Sequence, residues 1–291
     1  MPKCKFYIVD VFAERRLEGN QLAVFICEKG IPDSEMQKIA KEMNFSETTF
    51  ITSIENYDVR IFTPDMELPF AGHPTLGTAL VFQKEIIKSN IKTLLLNLKI
   101  GQIPVLFKYK SGNTEEIWME QNVPAFGQFY DPELIANTLF LREDDIDIRF
   151  PIQEVSTGLP FIIVPLKSLD ALKRARVERE KFFDLIENTS AKSILIFCPE
   201  TYRKGNHLSV RVFTEVPGFE DPATGSGNGC LASYLVQHQY FGKNSVDIRV
   251  EQGYEIGRQS LLLLRAEEKE GQINVSVGGK AFIIARGEFI D

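Results

Sequence analysis

The chain reads as an α+β protein of two pseudo-symmetric domains, each a mainly antiparallel sheet or open barrel wrapped around one central helix. Three observations predict this. The pentad Val59-Arg60-Ile61-Phe62-Thr63 returns as Val210-Arg211-Val212-Phe213-Thr214, and each copy is soon followed by a Gly-rich junction. The junctions are Ala71-Gly72-His73-Pro74-Thr75-Leu76-Gly77-Thr78 and Asp221-Pro222-Ala223-Thr224-Gly225-Ser226-Gly227-Asn228-Gly229. Upstream, Gly19-Asn20-Gln21-Leu22-Ala23-Val24-Phe25 is answered by Gly158-Leu159-Pro160-Phe161-Ile162-Ile163-Val164. Finally, each junction opens a stretch that is apolar nearly all round, and a helix without a polar face must be enclosed. The apolar positions agree between the copies while His73 and Asp221 do not, so the scaffold is duplicated and the chemistry divided.

Taken in order, alternating or continuous apolar runs predict strands at 6–11, 21–26, 48–52, 59–62, 103–109 and 117–120, then at 161–165, 193–197, 209–213, 246–250, 260–265, 273–277 and 281–285. Helical spacing marks 33–43, with Asp33 or Ser34 as N-cap, then 74–83, 131–139, 178–187 and 227–240. The basic stretch from Lys173 to Lys181 is interleaved with Glu178 and Glu180 and reads as a solvated helix face. Pro124, Gly127 and Pro132 interrupt the pattern and set a hinge, dividing the chain into domains 1–123 and 124–279.

With 291 residues and 44% hydrophobic content the chain buries a substantial core. A net charge of −7 argues against nucleic acid or an anionic membrane surface as partner, because such binding draws on clustered Lys and Arg. Lys3, Lys5 and Asp10 interrupt any signal-like apolar run and no stretch has the length of a membrane span, so a cytoplasmic protein is expected. Cys4, Cys27, Cys198 and Cys230 are far apart and read as buried, reduced thiols. With three His and no close His/Cys pair, no metal site is expected.

The chemistry then falls to ordinary side chains and backbone. The first N–H groups of each junction helix lack intrahelical partners and share the positive end of the helix dipole, which suits a small carboxylate held where the two halves meet. Gly72, Gly225, Ser226 and Gly227 supply those groups; for either junction alone, the glycines equally well serve close helix packing. Glu47 shares a strand face with Phe45, Thr49 and Ile51, where partial desolvation raises a carboxyl pKa towards that of a group able to take and return a proton; a solvent-facing Glu is the competing reading. His73 precedes Pro74 at or next to the N-cap, a place that resists protonation of the ring. Asp221 and Ser226 precede the second helix, where both residue types also serve as turn formers and caps.

These residues carry a resemblance. Asn44-Phe45-Ser46-Glu47-Thr48-Thr49-Phe50, Phe70 to Ala79 and Glu220 to Ser226, with Asp10-Val11-Phe12 and Gly19-Asn20, resemble the phenazine-biosynthesis PhzF-like family, which shares its fold with diaminopimelate epimerase. The resemblance runs over essentially the whole chain. It implies that strands 280–291 return to the first domain, that homodimers form, and that the enzyme is a cofactor-independent isomerase. Glu47 would carry the proton, His73 and Asp221 would complete the catalytic set, and Asn20, Gly72, Gly225, Ser226 and Gly227 would contact substrate. Gly72 and Ser226 stand where the epimerase has its two catalytic cysteines, so a two-thiol mechanism is not expected; Cys230, one turn beyond Ser226, reads as core. Gln21, Asn228 and Cys230 depart from the common pattern. An epimerase working through carboxylates, or a carboxylate-binding protein without catalysis, are the alternatives. The patterns for a hydrolase elbow and a dinucleotide loop are absent, and no βαβ repeat is expected.

Overall fold

In the computed structural model, which describes residues 4–27, 30–214 and 220–289, the repeat read from the sequence is a repeat of strand pairings. The chain divides into two compact units, one made of residues 1–120 and 278–291 and the other of 121–277.

The first unit runs β1 (Cys4–Val11), β2 (Asn20–Ile26), α1 (Asp33–Met43), β3 (Glu47–Ser53), β4 (Asp58–Phe62), β5 (Glu67–Leu68), α2 (Gly72–Val81), β6 (Thr93–Leu98), β7 (Gly101–Lys110) and β8 (Asn113–Glu120). The second contains β9 (Ala125–Phe129), α3 (Pro132–Thr138), β10 (Gln153–Ser156), β11 (Pro160–Pro165), α4 (Leu169–Arg174), α5 (Arg179–Glu187), β12 (Ile194–Cys198), β13 (Leu208–Phe213), α6 (Gly225–Gln237), β14 (Ser245–Gln252), β15 (Ser260–Lys269) and β16 (Gln272–Gly279). The last strand, β17 (Ala281–Phe289), pairs antiparallel with β1, back in the first unit; residues 290 and 291 of the expected returning segment lie outside the described residues.

From β1 the pairings run antiparallel to β2, parallel to β3, antiparallel to β4, parallel to β6 and antiparallel to β7. From β10 the same series recurs through β11, β12, β13, β14 and β15. Helices sit at matching points, α1 and α4–α5 before the third strand and α2 and α6 before the fifth. The Phe62–Glu67 pairing of β4 with β5 also has its counterpart in an isolated bridge, Phe213 to Glu220. Each parallel step is a strand–helix–strand crossover, so βαβ connections are present where none was expected. The short strands hid them, because direction is set by the connection rather than by strand composition.

All ten residues of α2 are buried, and in α6 all but Ser226 and Gln237 are. Within their own units α2 packs on β1, β2, β3, β6, β7, β8 and β17, and α6 on β10, β11, β14 and β15. Gly77 shows how close α2 sits: a Cβ there would stand 2.6 Å from Leu22 Cδ2 and 2.9 Å from Val11 Cγ2. Separate apolar clusters fill the remaining layers, Phe25, Phe50, Phe62, Met36 and Ile39 under α1, and Ile135, Leu172, Phe182, Ile186 and Ile196 under α3 to α5.

Several expectations need correction. The N-cap of α1 is Pro32, without a side-chain bond, in place of Asp33 or Ser34. Lys173 to Lys181 is no single helix face: it spans the end of α4, an extended stretch and the start of α5. Strand β6 escaped detection because Leu95, 47% exposed, breaks the apolar alternation that the burial pattern does follow. Strand β9 lies inside the predicted break at 122–132, between Pro124 and Pro132, because pairing with β10 outweighs Gly127. The expected reduced state fails for two thiols: Cys4 and Cys27, one rung beyond the Lys5–Ile26 pair, form a disulfide with a Cα–Cα distance of 4.6 Å. Cys198 and Cys230 are free and buried, and burial pushes both thiols up to about 12. No helix of the described residues is long and apolar enough to cross a membrane.

Candidate active site

The first unit brings Asn20, Glu47 and His73 into one cluster. Glu47 opens β3 beside Leu22 of the parallel strand β2, and Asn20 opens β2 itself, 1% exposed. The chain reaches the same place through β4 and β5 and enters α2 with Ala71 as N-cap in extended conformation. His73 is therefore the second residue inside the helix. Pro74 at the third position has no N–H to leave unsatisfied, and the Gly72 and His73 amides have no intrahelical acceptor. Thr75 Oγ1 donates to the Ala71 carbonyl at 2.7 Å and fastens the turn.

The His73 ring is enclosed. Its Nδ1 lies 3.3 Å from Asn20 Nδ2, and its Nε2 lies 3.4 Å from Glu47 Oε2. Burial drives the ring pKa down to about 3, against a smaller upward pull from the Gln21 backbone. The ring is neutral at any pH near 7, and the helix end it occupies disfavours a positive charge further. The 3.4 Å approach is thus between a carboxyl group and a neutral imidazole, not a permanent ion pair. The Glu47 side chain keeps 17% exposure, a half-desolvated position of the kind read from its strand face.

In the second unit, Asp221 stands ahead of α6 with its N–H donated to the Val212 carbonyl at 3.1 Å. Thr224, the N-cap of α6, donates its hydroxyl to Asp221 Oδ2 at 2.5 Å. Ser226 is the second residue of the helix, not a residue before it, and it is half-buried while Gly225 and Gly227 are buried. Amides of Gly225, Ser226 and Gly227 have no intrahelical acceptor. Close packing also accounts for glycine here: a Cβ on Gly227 would meet Phe161 at 3.1 Å and one on Gly229 would meet Gln121 at 3.0 Å.

The sequence model of the phenazine biosynthesis-like family matches residues 9–287. The chain belongs to that family. Among curated relatives, the trans-2,3-dihydro-3-hydroxyanthranilate isomerase of Pseudomonas aeruginosa is 34% identical over 97% of this chain and 98% of its own. An uncharacterised isomerase of Mesorhizobium japonicum is 31% identical over 97% of each. The crystal structure of a PhzF-family phenazine biosynthesis protein of Bacillus anthracis matches with a TM-score of 0.91 at 27% identity, covering 100% of both chains. A hydroxyproline epimerase of Agrobacterium vitis, at 9% identity and a TM-score of 0.67, shares the fold.

The sequence reading overlooked Thr224 as a partner of Asp221, and Gln252 altogether. Gln252 ends β14 at 1% exposure and is the hub of the hydrogen bonds around Asp221. The available signal was a polar pair, Glu251-Gln252, closing an otherwise strand-like run just before Gly253. Among the described residues no group of three or more His, Cys, Asp or Glu is placed to hold a metal ion. An open groove of about 330 Å³ beside Lys110, Glu115 and Lys280 includes none of the predicted site residues.

Proposed function

We propose that this chain is a cofactor-independent isomerase that moves a proton, and with it a double bond, within a small carboxylic acid. Glu47 takes a proton from carbon; the electron pair of that C–H bond enters a new double bond as the old one shifts; the protonated Glu47 then returns the proton to a second carbon. Helix-opening N–H groups receive the substrate carboxylate and stabilise charge developing beside it. His73 and Asp221 orient the substrate. Asn20 fixes the His73 ring, and the working unit is a homodimer.

One observation carries this reading: Glu47 lies half-desolvated, 3.4 Å from a ring that burial keeps neutral. A side-chain carboxyl beside a neutral ring is the kind of group that takes a proton from carbon and returns it, which is the general acid/base role given to Glu47 here. The isomerase names of relatives that match along nearly the full chain support the same reaction type.

The test is proton NMR in D₂O with trans-2,3-dihydro-3-hydroxyanthranilate and a panel of small cyclic and amino carboxylic acids, comparing wild type with Glu47→Gln. Deuterium entering at carbon with a displaced double bond is the expected result, with a loss of roughly 10²–10⁴ in rate for the variant. Inversion at one carbon without a displaced double bond would make the protein an epimerase. Binding without any exchange would remove the catalytic reading.

A further inference from the structure

The side-chain amide of Gln252 has every hydrogen-bonding capacity filled, by Asp221 and Thr224 of the turn and by Asn228 in the first turn of α6. Its Nε2 donates to the Asp221 carbonyl at 2.7 Å and to Thr224 Oγ1 at 3.0 Å. Its Oε1 accepts from the Thr224 amide at 3.2 Å and from Asn228 Nδ2 at 2.8 Å. Reversing the amide would set oxygen against the Asp221 carbonyl and NH₂ against two donors, so the orientation is decided by its neighbours.

That orientation gives the chain a direction. An NH₂ group only donates, so the Thr224 hydroxyl accepts a hydrogen bond from Gln252 and donates its own O–H to Asp221 Oδ2, 2.5 Å away. Asp221 Oδ2 is thereby engaged as an acceptor. Its backbone is pinned from both sides as well, the N–H on Val212 of β13 and the carbonyl on Gln252 of β14. Asn228 completes the arrangement by donating to the Thr224 carbonyl at 3.0 Å, the bond that Thr75 makes to Ala71 in the other copy. In the first copy the corresponding carbonyl, that of Ala71, is held by the Thr75 hydroxyl.

We propose that Gln252 and Thr224 are positioning residues for Asp221, a relay that fixes its carboxylate in place and keeps it an acceptor towards the substrate. This rests on the proposed isomerase reading for its kinetic consequence and on the hydrogen-bond directions alone for its structural one. The substrate class it implies carries an N–H or O–H donor for Asp221, apart from its carboxylate.

Three variants separate the terms. Thr224→Val keeps the shape and removes the relayed proton; Thr224→Ser restores it; Gln252→Glu keeps the length but replaces a donor with an acceptor, drawing the Thr224 proton away from Asp221. Two readouts are taken on each folded variant: the ¹³C carboxyl resonance of Asp221 near neutral pH, and kcat/KM on whichever acid of the panel wild type turns over. Loss of one charge-assisted bond predicts a fall in kcat/KM of roughly 10–100-fold for Thr224→Val and Gln252→Glu, with Thr224→Ser close to wild type. The Asp221 resonance moves in the first two and stays in the third. An unmoved resonance in Thr224→Val, or wild-type kcat/KM in that variant, overturns the relay. If wild type turns over no acid at all, the isomerase reading fails, while the resonance still decides the relay by itself.

Discussion

Arg211 does in the second unit what Arg60 does in the first, but out of water. Arg60 grips Glu67 with Nε and a terminal nitrogen at 2.8 and 3.0 Å and lies 5.2 Å from the Phe62 ring centre. Arg211 grips Glu220 at 2.9 and 2.7 Å and lies 4.9 Å from Phe213. The third branch differs. Arg60 reaches the exposed carboxylate of Asp33 at 2.5 Å, whereas Arg211 donates to the carbonyls of Leu172 and Ala175 at the end of α4. Side-chain exposure is 25% for Arg60 and 5% for Arg211.

The duplicated pair therefore makes an internal control for the cost of removing an arginine. In Arg211→Met the Glu220 carboxylate stays buried without its cation and the Leu172 carbonyl loses the arginine, while that of Ala175 keeps Arg176 Nη1 at 3.0 Å, a loss expected at about 3–5 kcal/mol. In Arg60→Met, Glu67 retains Lys99 at 3.3 Å and some water, so about 1 kcal/mol is expected. Urea unfolding of both variants, followed by separate probes for each unit, tests the contrast; equal losses would contradict it.

How far the sequence revealed this arrangement depends on the distances involved. Arg60-Ile61-Phe62 and Arg211-Val212-Phe213 are legible because each Arg and Phe lie two apart on one strand. Their glutamates are not, because the connection from Arg to Glu differs in length between the copies. Strand β10 stayed hidden for a different reason: Gln153 and Glu154 are polar yet buried, satisfied by His238, Tyr130 and Ser190 from remote parts of the chain. Glu47 and His73 in the first unit and Asp221 in the second stand in contiguous motifs and are legible as candidates. Gln252 acts on Asp221 across 31 residues from the end of a strand, and nothing local announces that contact.

Acid should weaken the protein through His73. The native ring, depressed to about 3, stays neutral, while the ring in the unfolded chain titrates near its ordinary 6.5. Above 6.5 neither state is protonated and the residue contributes no pH dependence. Below it the unfolded chain gains a proton that the native state refuses, so stability falls as pH drops from 6.5 towards about 3, by up to ~1.4 kcal/mol per pH unit. Carboxylates titrate over part of that window, so the quantity to measure is the difference between wild type and His73→Gln. That difference should be flat above 6.5 and slope below it; a parallel pair of curves would show that the ring is protonated in the native state.

The disulfide makes a simple chemical prediction. Denatured without reductant and alkylated, the protein should take up label at Cys198 and Cys230 only, and after reduction at Cys4 and Cys27 too. The bridge closes a loop between residues 23 apart, so opening it should lower stability by about 3 kcal/mol through the freedom returned to the unfolded chain. Mass spectrometry of the peptides checks the first claim and unfolding with and without reductant the second. Full labelling of four cysteines before reduction would show a dithiol.

Gly253 links the stability of the second unit to its chemistry. It follows Gln252 with φ +79°, in the left-handed region, and a Cβ there would sit 2.3 Å from the Arg258 carbonyl oxygen and 2.6 Å from that of Pro222. Neither atom belongs to a flexible side chain, so the backbone itself must move. Pro222 follows Asp221 directly, and displacing it pulls the Asp221 carbonyl off Gln252. Gly253→Ala should therefore cost more than the roughly 1 kcal/mol of an ordinary left-handed alanine, and it should reduce turnover beyond what the lost stability explains. Assays well below the unfolding transition separate the two effects. Gly257, with φ +72° but open space around its Cα, provides the comparison: alanine there meets only the backbone penalty and should leave turnover unchanged. If both variants lose activity equally, the Pro222 contact has no part in holding Asp221.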